Sequence, residues 1–379
     1  MRDYFHEALP TRFLFPIDGD CIDRNDGTDG TVRASVQAAP GSCILVNGVP
    51  ATEQNGVFTA DVALQPGKNL LTASNTADGS EDRITVFVFP NASGVYRISS
   101  DDNILFLCDI NQNKDVYTSI FDNPYLAVYK KAHDLYGAKV HLNLFYAFNR
   151  ESAKCFSGER PDFDLSMMTD KFKQEWEANA DWLTLSFHAR AEFPDKPYRT
   201  ASPEVVLADF EDVRREVIRF AGEKTFSHDV TTIHWGELTK EAAIALRKLG
   251  GTTFTGYFYL NKHGECVVSY YAPPSLATHV GGRDFWHDTE TDITFGCIDR
   301  VINVGAKETV LEDVKKAAAD PHCGGFVSVM IHEQYFYPDY VRHLPDFEER
   351  VLESAKYLFE KGYKGSFVKQ MLHLPENQK

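Results

Sequence analysis

Apolar residues recur along this chain in two rhythms. From residue 11 to about 90 they come in short runs, RFLFPI, TVRASVQ, CILVNG, GVFTADVAL, NLLTASN and RITVFVF, separated by Gly, Pro, Asn and Asp. The run from Gly56 to Leu64 alternates at period two, and strands at this spacing predict a β-sandwich. Pro66-Gly67 marks a turn with a cause, because proline pre-sets φ and glycine accepts a positive one. After Pro90 the rhythm changes to strands alternating with helices. NILFLC reads as a strand ending at Asp109, PYLAVYKKAHDLYG as a helix stopping at Gly137, and KVHLNLFYAF as a strand. A helix is expected over roughly 167–180, then the buried strand of DWLTLSFHARAE, which loses apolar character at His188. Ser202 and Pro203 open a helix with Val206, Phe210, Val213, Val217 and Phe220 on one face. VTTI leads to His234, KEAAIALRKLG is helical, and TTFTGYFYL is a strand. A polar, aromatic excursion covers 261–300. A helix at 307–319, the strand GGFVSVMI ending at His332, a helix at 346–361 and a last strand KGSFV complete the pattern.

Short strand–helix links with polar residues at strand ends predict a parallel (β/α) barrel or a related open sheet. The expected organisation is therefore two domains, an all-β sandwich over 1–98 and an α/β barrel over 99–379. No G-x-G-x-x-G or Walker pattern follows any strand, which weakens nucleotide readings.

Composition changes this picture only by exclusion. Of 379 residues, 39 are Lys or Arg and 55 are Asp or Glu, and a formal charge of −16 disfavours nucleic acid and anionic membrane surfaces as partners. The apolar runs are too short to cross a bilayer. Seven scattered cysteines with no C-x-x-C pair argue for a reducing compartment. With no basic start and apolar stretch at the amino terminus, a cytoplasmic location is expected, although a chain trimmed of a leader would look the same. The acidic stretch Asp18, Asp20, Asp23, Asn25 and Asp26 lacks the glycine and final acid of a calcium loop in EF-hand register and reads as a solvated loop.

Four strands are expected to end in chemically capable residues, Asp109, His188, His234 and His332. In a parallel barrel such ends converge on one face. One carboxylate with two imidazoles from this set suits zinc or another first-row divalent ion. Such an ion lowers the pKa of a water to about 7 and polarises a carbonyl, and a further histidine could protonate a leaving group. Trp235 offers an apolar face to a sugar, although a buried core indole explains it equally well.

Over about residues 100 to 370 the chain resembles the polysaccharide deacetylase (NodB-homology) family. That family has a first strand ending in Asp-Asp, a His-x-x-x-His motif, and a late strand ending in Leu-x-His before a helix and a Lys-Gly-Tyr-like turn. SVMIHEQYFYPDY followed by DFEERVLESAKYLFEKGYKGSFV carries the late motif. The resemblance places Asp109 on the metal-binding aspartate, Cys108 where the catalytic base stands, and His188 on the first histidine. Glu192 falls in the second histidine's place, His234 about at the arginine of the family's Arg-Pro-Pro motif, and His332 on the general acid. This leaves the third metal ligand open between His234 and Glu192, with His234 slightly ahead because imidazole suits the softer metals. With cysteine at 108, Glu192, Glu237 or Glu333 would have to supply the base. VNGVPA and the strands after it resemble bacterial immunoglobulin-like modules appended to carbohydrate-active enzymes.

The expected function is a metal-dependent hydrolase of a carbohydrate or small acylated substrate. Its catalytic residues would be His332, Glu192 and Glu333, its metal ligands Asp109, His188 and His234, and its substrate contacts Trp235, Glu237, Trp286 and His287. The alternatives are a catalytically silent carbohydrate-binding protein on the same barrel, or a glycosidase using Glu237 and Glu333 as its carboxylate pair.

Overall fold

The computed structural model describes residues 9–22 and 30–373, together with Phe5. Two four-stranded antiparallel sheets come first. One has the order Arg12–Phe15, Thr31–Gln37, Val57–Ala63, Thr52–Gln54, and the other Val49–Pro50, Ile44–Val46, Gly67–Asn75, Glu81–Val88. The alternation read from the sequence puts Val32, Val36 and Phe58 of the first sheet and Val46, Leu71, Ile84 and Val86 of the second into one shared core.

Residues 17–22 staple this sandwich to the rest of the chain. Cys21 bridges Phe87 in the last sandwich strand, while Asp20 bridges Trp286 in the second half. Asp20 has no exposed surface, and one carboxylate oxygen lies 2.6 Å from Nε2 of His279. Asp20 is thus a buried connector where a solvated loop was expected. Asp23, Asn25 and Asp26 lie outside the described residues.

The second half is mixed α/β. A parallel sheet has the order Leu183–Ala189, Val140–Phe145, Val95–Asn103, Phe326–His332, Arg300–Val301, with Lys364–Gly365 pairing beside Val95 and Tyr96. A second sheet sets Val230–Thr231, Thr253–Gly256 and Ile293–Cys297 parallel, with Phe285–Asp288 antiparallel at its edge. The two sheets meet where Leu185 bridges Phe226. Among the described residues the ladder does not close, because Arg300–Val301 pairs with Phe326–His332 and not with Ile293–Cys297. The helices Pro203–Ala221, Lys307–Ala319 and Phe347–Glu360 follow the apolar spacing, and Val213, Val314 and Val351 are buried.

One element departs from the expectation in a way that moves the site. LFLC is not a strand but the first turn of the helix Leu105–Gln112, apolar because Leu105, Phe106, Leu107, Cys108 and Ile110 are all buried. The strand lies just before it, Val95–Asn103, with the sequence VYRISSDDN. It carries no apolar run because its alternate residues Arg97, Ser99 and Asp101 face a polar interior. Arg97 donates to Thr255 and Asp101 accepts from Asn143, whereas Tyr96 and Ser100 bond the helix side at Tyr136 and Tyr125. This strand also runs across position 98, so the change from sandwich to α/β falls between Val88 and Val95. No helix among the described residues is long and apolar enough to cross a membrane.

Candidate metal centre

The central strand Val95–Asn103 ends in Asp101-Asp102, and its neighbours end nearby in His188 and His332. Strand alternation alone would point Asp101 and Asp102 to opposite faces. Asp102 escapes this because its φ is +62°, in the left-handed region that aspartate tolerates better than most residues. Both aspartates consequently line one cleft of about 860 Å³, together with His188, Glu192, His234, Trp235, Tyr257 and His332.

Three ligand-type atoms converge there. Oδ1 of Asp102 is 3.1 Å from Nε2 of His188 and 3.3 Å from Nδ1 of His234, and the two histidine nitrogens are 3.0 Å apart. The outer ring nitrogens settle the tautomers. Nδ1 of His188 donates to the carbonyl of Thr232 in a close hydrogen bond, and Nε2 of His234 donates to the carbonyl of Glu192 at 3.2 Å. Both inner nitrogens then present lone pairs to a carboxylate oxygen, and three buried lone-pair donors at hydrogen-bond distance repel one another unless a cation sits among them. Ligands about 2.0–2.1 Å from a tetrahedral ion are separated by roughly 3.3 Å, so the spacing and the donor set fit such an ion. Backbone carbonyls behind both imidazoles are the outer support that metal-binding histidines use.

Burial opposes ionisation of Asp102, and protons on His332, His188 and His234 would hold its carboxyl well below the usual range. Where the inner nitrogens of His188 and His234 carry lone pairs instead, a cation has to take the part of those protons. Glu192 differs, since burial first and the charge of Asp102 second push it up to about 8, partly offset by His188. His332 stands across the cleft. Its Nδ1 lies 2.9 Å from Oδ1 of Asn303, and its Nε2 is 3.9 Å from Oδ2 of Asp102. Asp101 accepts from Nδ2 of Asn143 at 2.6 Å, which leaves its second oxygen without a hydrogen bond among the described residues.

The structure thus brings His188, His234, His332, Glu192 and Trp235 together and separates the other expected residues from them. Asp109 sits on the helix Leu105–Gln112, where Asn113, Tyr117 and Asn123 saturate its carboxylate. Cys108, next to it, is a buried thiol that burial pushes up to about 11. Glu333 is fully buried and spends its carboxylate on the backbone N–H groups of Ile104, Leu105 and Phe106 and on the Tyr337 hydroxyl. Glu237 is held by Lys196 at 2.8 Å, so Glu237 and Glu333 do not form a carboxylate pair across the cleft. Trp286 is fully buried against the sandwich and donates to the carbonyl of Asp18, and His287 donates its backbone N–H to Gly19. The residues missed were Asp101 and Asp102. Their signal was a plain Asp-Asp pair, directly before the run NILFLC that looked like the strand.

No protein-family model matches this chain, and no curated protein matches it. Among solved structures, a CE4 family pseudoenzyme from Bacillus anthracis is 11% identical, with a TM-score of 0.34 over 76% of this chain and 67% of that one. A candidate polysaccharide deacetylase from Mycobacterium smegmatis is 9% identical, with a TM-score of 0.35 over 76% of this chain and 96% of that one. A 4-alpha-glucanotransferase from Thermococcus litoralis is 10% identical, with a TM-score of 0.44 over 73% of this chain and 40% of that one. With every TM-score below 0.5, none of these likenesses assigns the chain to a family, and its chemistry is read from its own residues.

Proposed function

We propose that the chain is a divalent-metal-dependent hydrolase that removes an acyl group from an acylated sugar or a related C–N bond. The observation that carries this reading is the convergence of three lone-pair donors, Asp102 Oδ1, His188 Nε2 and His234 Nδ1, within 3.3 Å of one another. Those residues would hold the ion, zinc before other first-row ions. When bound, such an ion polarises an acyl carbonyl and acidifies water to a pKa of about 7.

The protein's own groups supply the proton transfers. Asp101, fixed by Asn143 at one oxygen, offers the other to take a proton from the attacking water. His332, steered by Asn303, passes a proton from Nε2 to the leaving amine as the C–N bond breaks, which yields a free carboxylic acid and an amine. The two stand at matched positions, since His332 and Asp101 are register partners across the parallel strands. Asp101 thereby takes the base role that the resemblance had left without an aspartate, and neither Glu333 nor Glu237 is needed for it. Trp235, 42% exposed at the cleft wall with a φ of +61°, offers a face to the sugar ring.

The experiment is metal analysis of the purified chain combined with an assay for acetate released from N-acetylated sugar oligomers. The reading predicts one tightly held divalent ion and metal-dependent release. A chain that takes up no ion on soaking, or that binds sugar and releases nothing with the ion in place, contradicts it.

A further inference from the structure

Three consecutive side chains leave the end of the Phe326–His332 strand in three directions. His332 bonds Asn303, Glu333 turns inward to the helix Leu105–Gln112, and Gln334 reaches Asp102. Nε2 of Gln334 donates to Oδ2 of Asp102 at 2.7 Å, while Oδ1 of the same carboxylate faces the two imidazoles. No other hydrogen bond reaches Oδ2 among the described residues, because Nε2 of His332, at 3.9 Å, is too far.

The amide has one workable orientation. Turned over, it would set its own oxygen against a carboxylate, so Nε2 must face Asp102. The consequence is that Oε1 of Gln334 is buried with no hydrogen-bond partner. A buried acceptor left unpaired is costly and calls for a reason. Gln334 also forms part of the wall between the main cleft and a small apolar hollow lined by Phe145, Phe148 and Phe156.

We infer that Gln334 is a positioning residue for the metal centre: by occupying Oδ2 it fixes the Asp102 carboxylate so that Oδ1 alone is presented between His188 and His234. This rests on the metal-centre reading above. It extends to the carboxylate the outer support that the Thr232 and Glu192 carbonyls give the histidines. In metal sites such outer partners are worth roughly 10–100-fold in affinity.

Zinc affinity is measured on the full chain by competition with a chromophoric chelator, for the wild type, Gln334→Met, Gln334→Asn and Asp102→Asn. Methionine keeps the length and loses the donor, and asparagine keeps the amide but withdraws it by one methylene. The expected result is zinc binding by the wild type and affinity about 10–100-fold weaker for both Gln334 variants. The far-UV spectra of the wild type and both Gln334 variants should stay alike without metal. The drop in zinc affinity should exceed any change in their metal-free melting, since a merely structural glutamine would lower stability and leave the affinity of the folded protein unchanged. If Gln334→Met fails to fold, Gln334→Asn decides. Variants that bind zinc within twofold of the wild type overturn this inference and leave the metal centre standing. A wild type that binds zinc no better than Asp102→Asn identifies the metal-centre reading as the part that failed, and the inference falls with it.

Discussion

Oε2 of Glu333 lies 2.6 Å from the backbone nitrogen of Ile104, across 229 positions of sequence. The same carboxylate also accepts from Leu105, Phe106 and the Tyr337 hydroxyl. It therefore closes the start of a helix from another strand and locks the end of Val95–Asn103, where Asp101 and Asp102 sit, against the strand end that carries His332. Burial pushes Glu333 up to about 7, against hydrogen bonds that favour its anion. A raised carboxyl binds its proton more tightly in the folded state. Its stabilising contribution is complete below the unfolded value near 4.5 and is lost as pH rises through about 7, a change on the order of 3 kcal/mol. Glu333→Gln has no such titration, so its destabilisation relative to wild type should be larger at pH 5 than at pH 8. Urea unfolding of both proteins at the two pH values checks this, and a difference independent of pH would refute it.

The sandwich strands and most helices were legible because burial imposes period two on the first and period 3.6 on the second. His188 and His332 were legible because buried strands end at or beside them, and His234 because VTTI leads to it, although the strand itself is only Val230–Thr231 and His234 opens the turn that follows. The central strand was not, for a physical reason. It faces the interior with Arg97, Ser99 and Asp101, so a buried strand at the centre of the sheet reads as a polar loop, and the apolar LFLC beside it reads as the strand. That misreading shifted the proposed metal aspartate from Asp102 to Asp109 and put a cysteine in the place of the proposed base. Trp286 and His287 were misplaced for a second reason. Nothing local to FWHD tells that residues 17–22, more than 260 positions away, pair with it.

Metal removal should be visible in stability as well as in rate. A ligand present at 100 times its Kd stabilises the state that binds it by about 2.7 kcal/mol. Wild-type protein should gain roughly that amount on addition of zinc at this excess and lose it with a chelator. Asp102→Asn should gain nothing, because its amide nitrogen or a neutral oxygen replaces the one charged ligand. Calorimetric scans with and without zinc test this, and equal gains for both proteins would remove Asp102 from the ligand set.

Asp101 and His332 should separate chemistry from metal binding. Neither is among the three converging ligand atoms, yet both line the cleft. Asp101→Asn and His332→Gln should each keep the bound ion and lower kcat by roughly 10²–10⁴, the range for a positioned acid or base. Metal stoichiometry measured beside single-turnover rates distinguishes the outcomes. A variant that loses the ion would belong to the metal sphere, and one with an unchanged rate would have no part in proton transfer.

Asp109 provides the converse case. Its carboxylate accepts from Asn113 at 3.0 Å, from the Tyr117 hydroxyl at 2.9 Å and from Asn123 at 2.6 Å. Asn123 is also the N-cap of the helix Pro124–Tyr136, where its Oδ1 accepts from Leu126. Asp109 thus fastens one helix to the start of the next. Hydrogen bonds to a charged group contribute about 1.5–3 kcal/mol each when buried, and less here, where the site is only partly buried. Asp109→Ala should destabilise the fold by about 2 kcal/mol while leaving zinc affinity unchanged. Denaturant midpoints and the chelator competition, measured on one preparation, test both halves. A large loss of zinc affinity at unchanged stability would return Asp109 to the metal site and displace Asp102 from it.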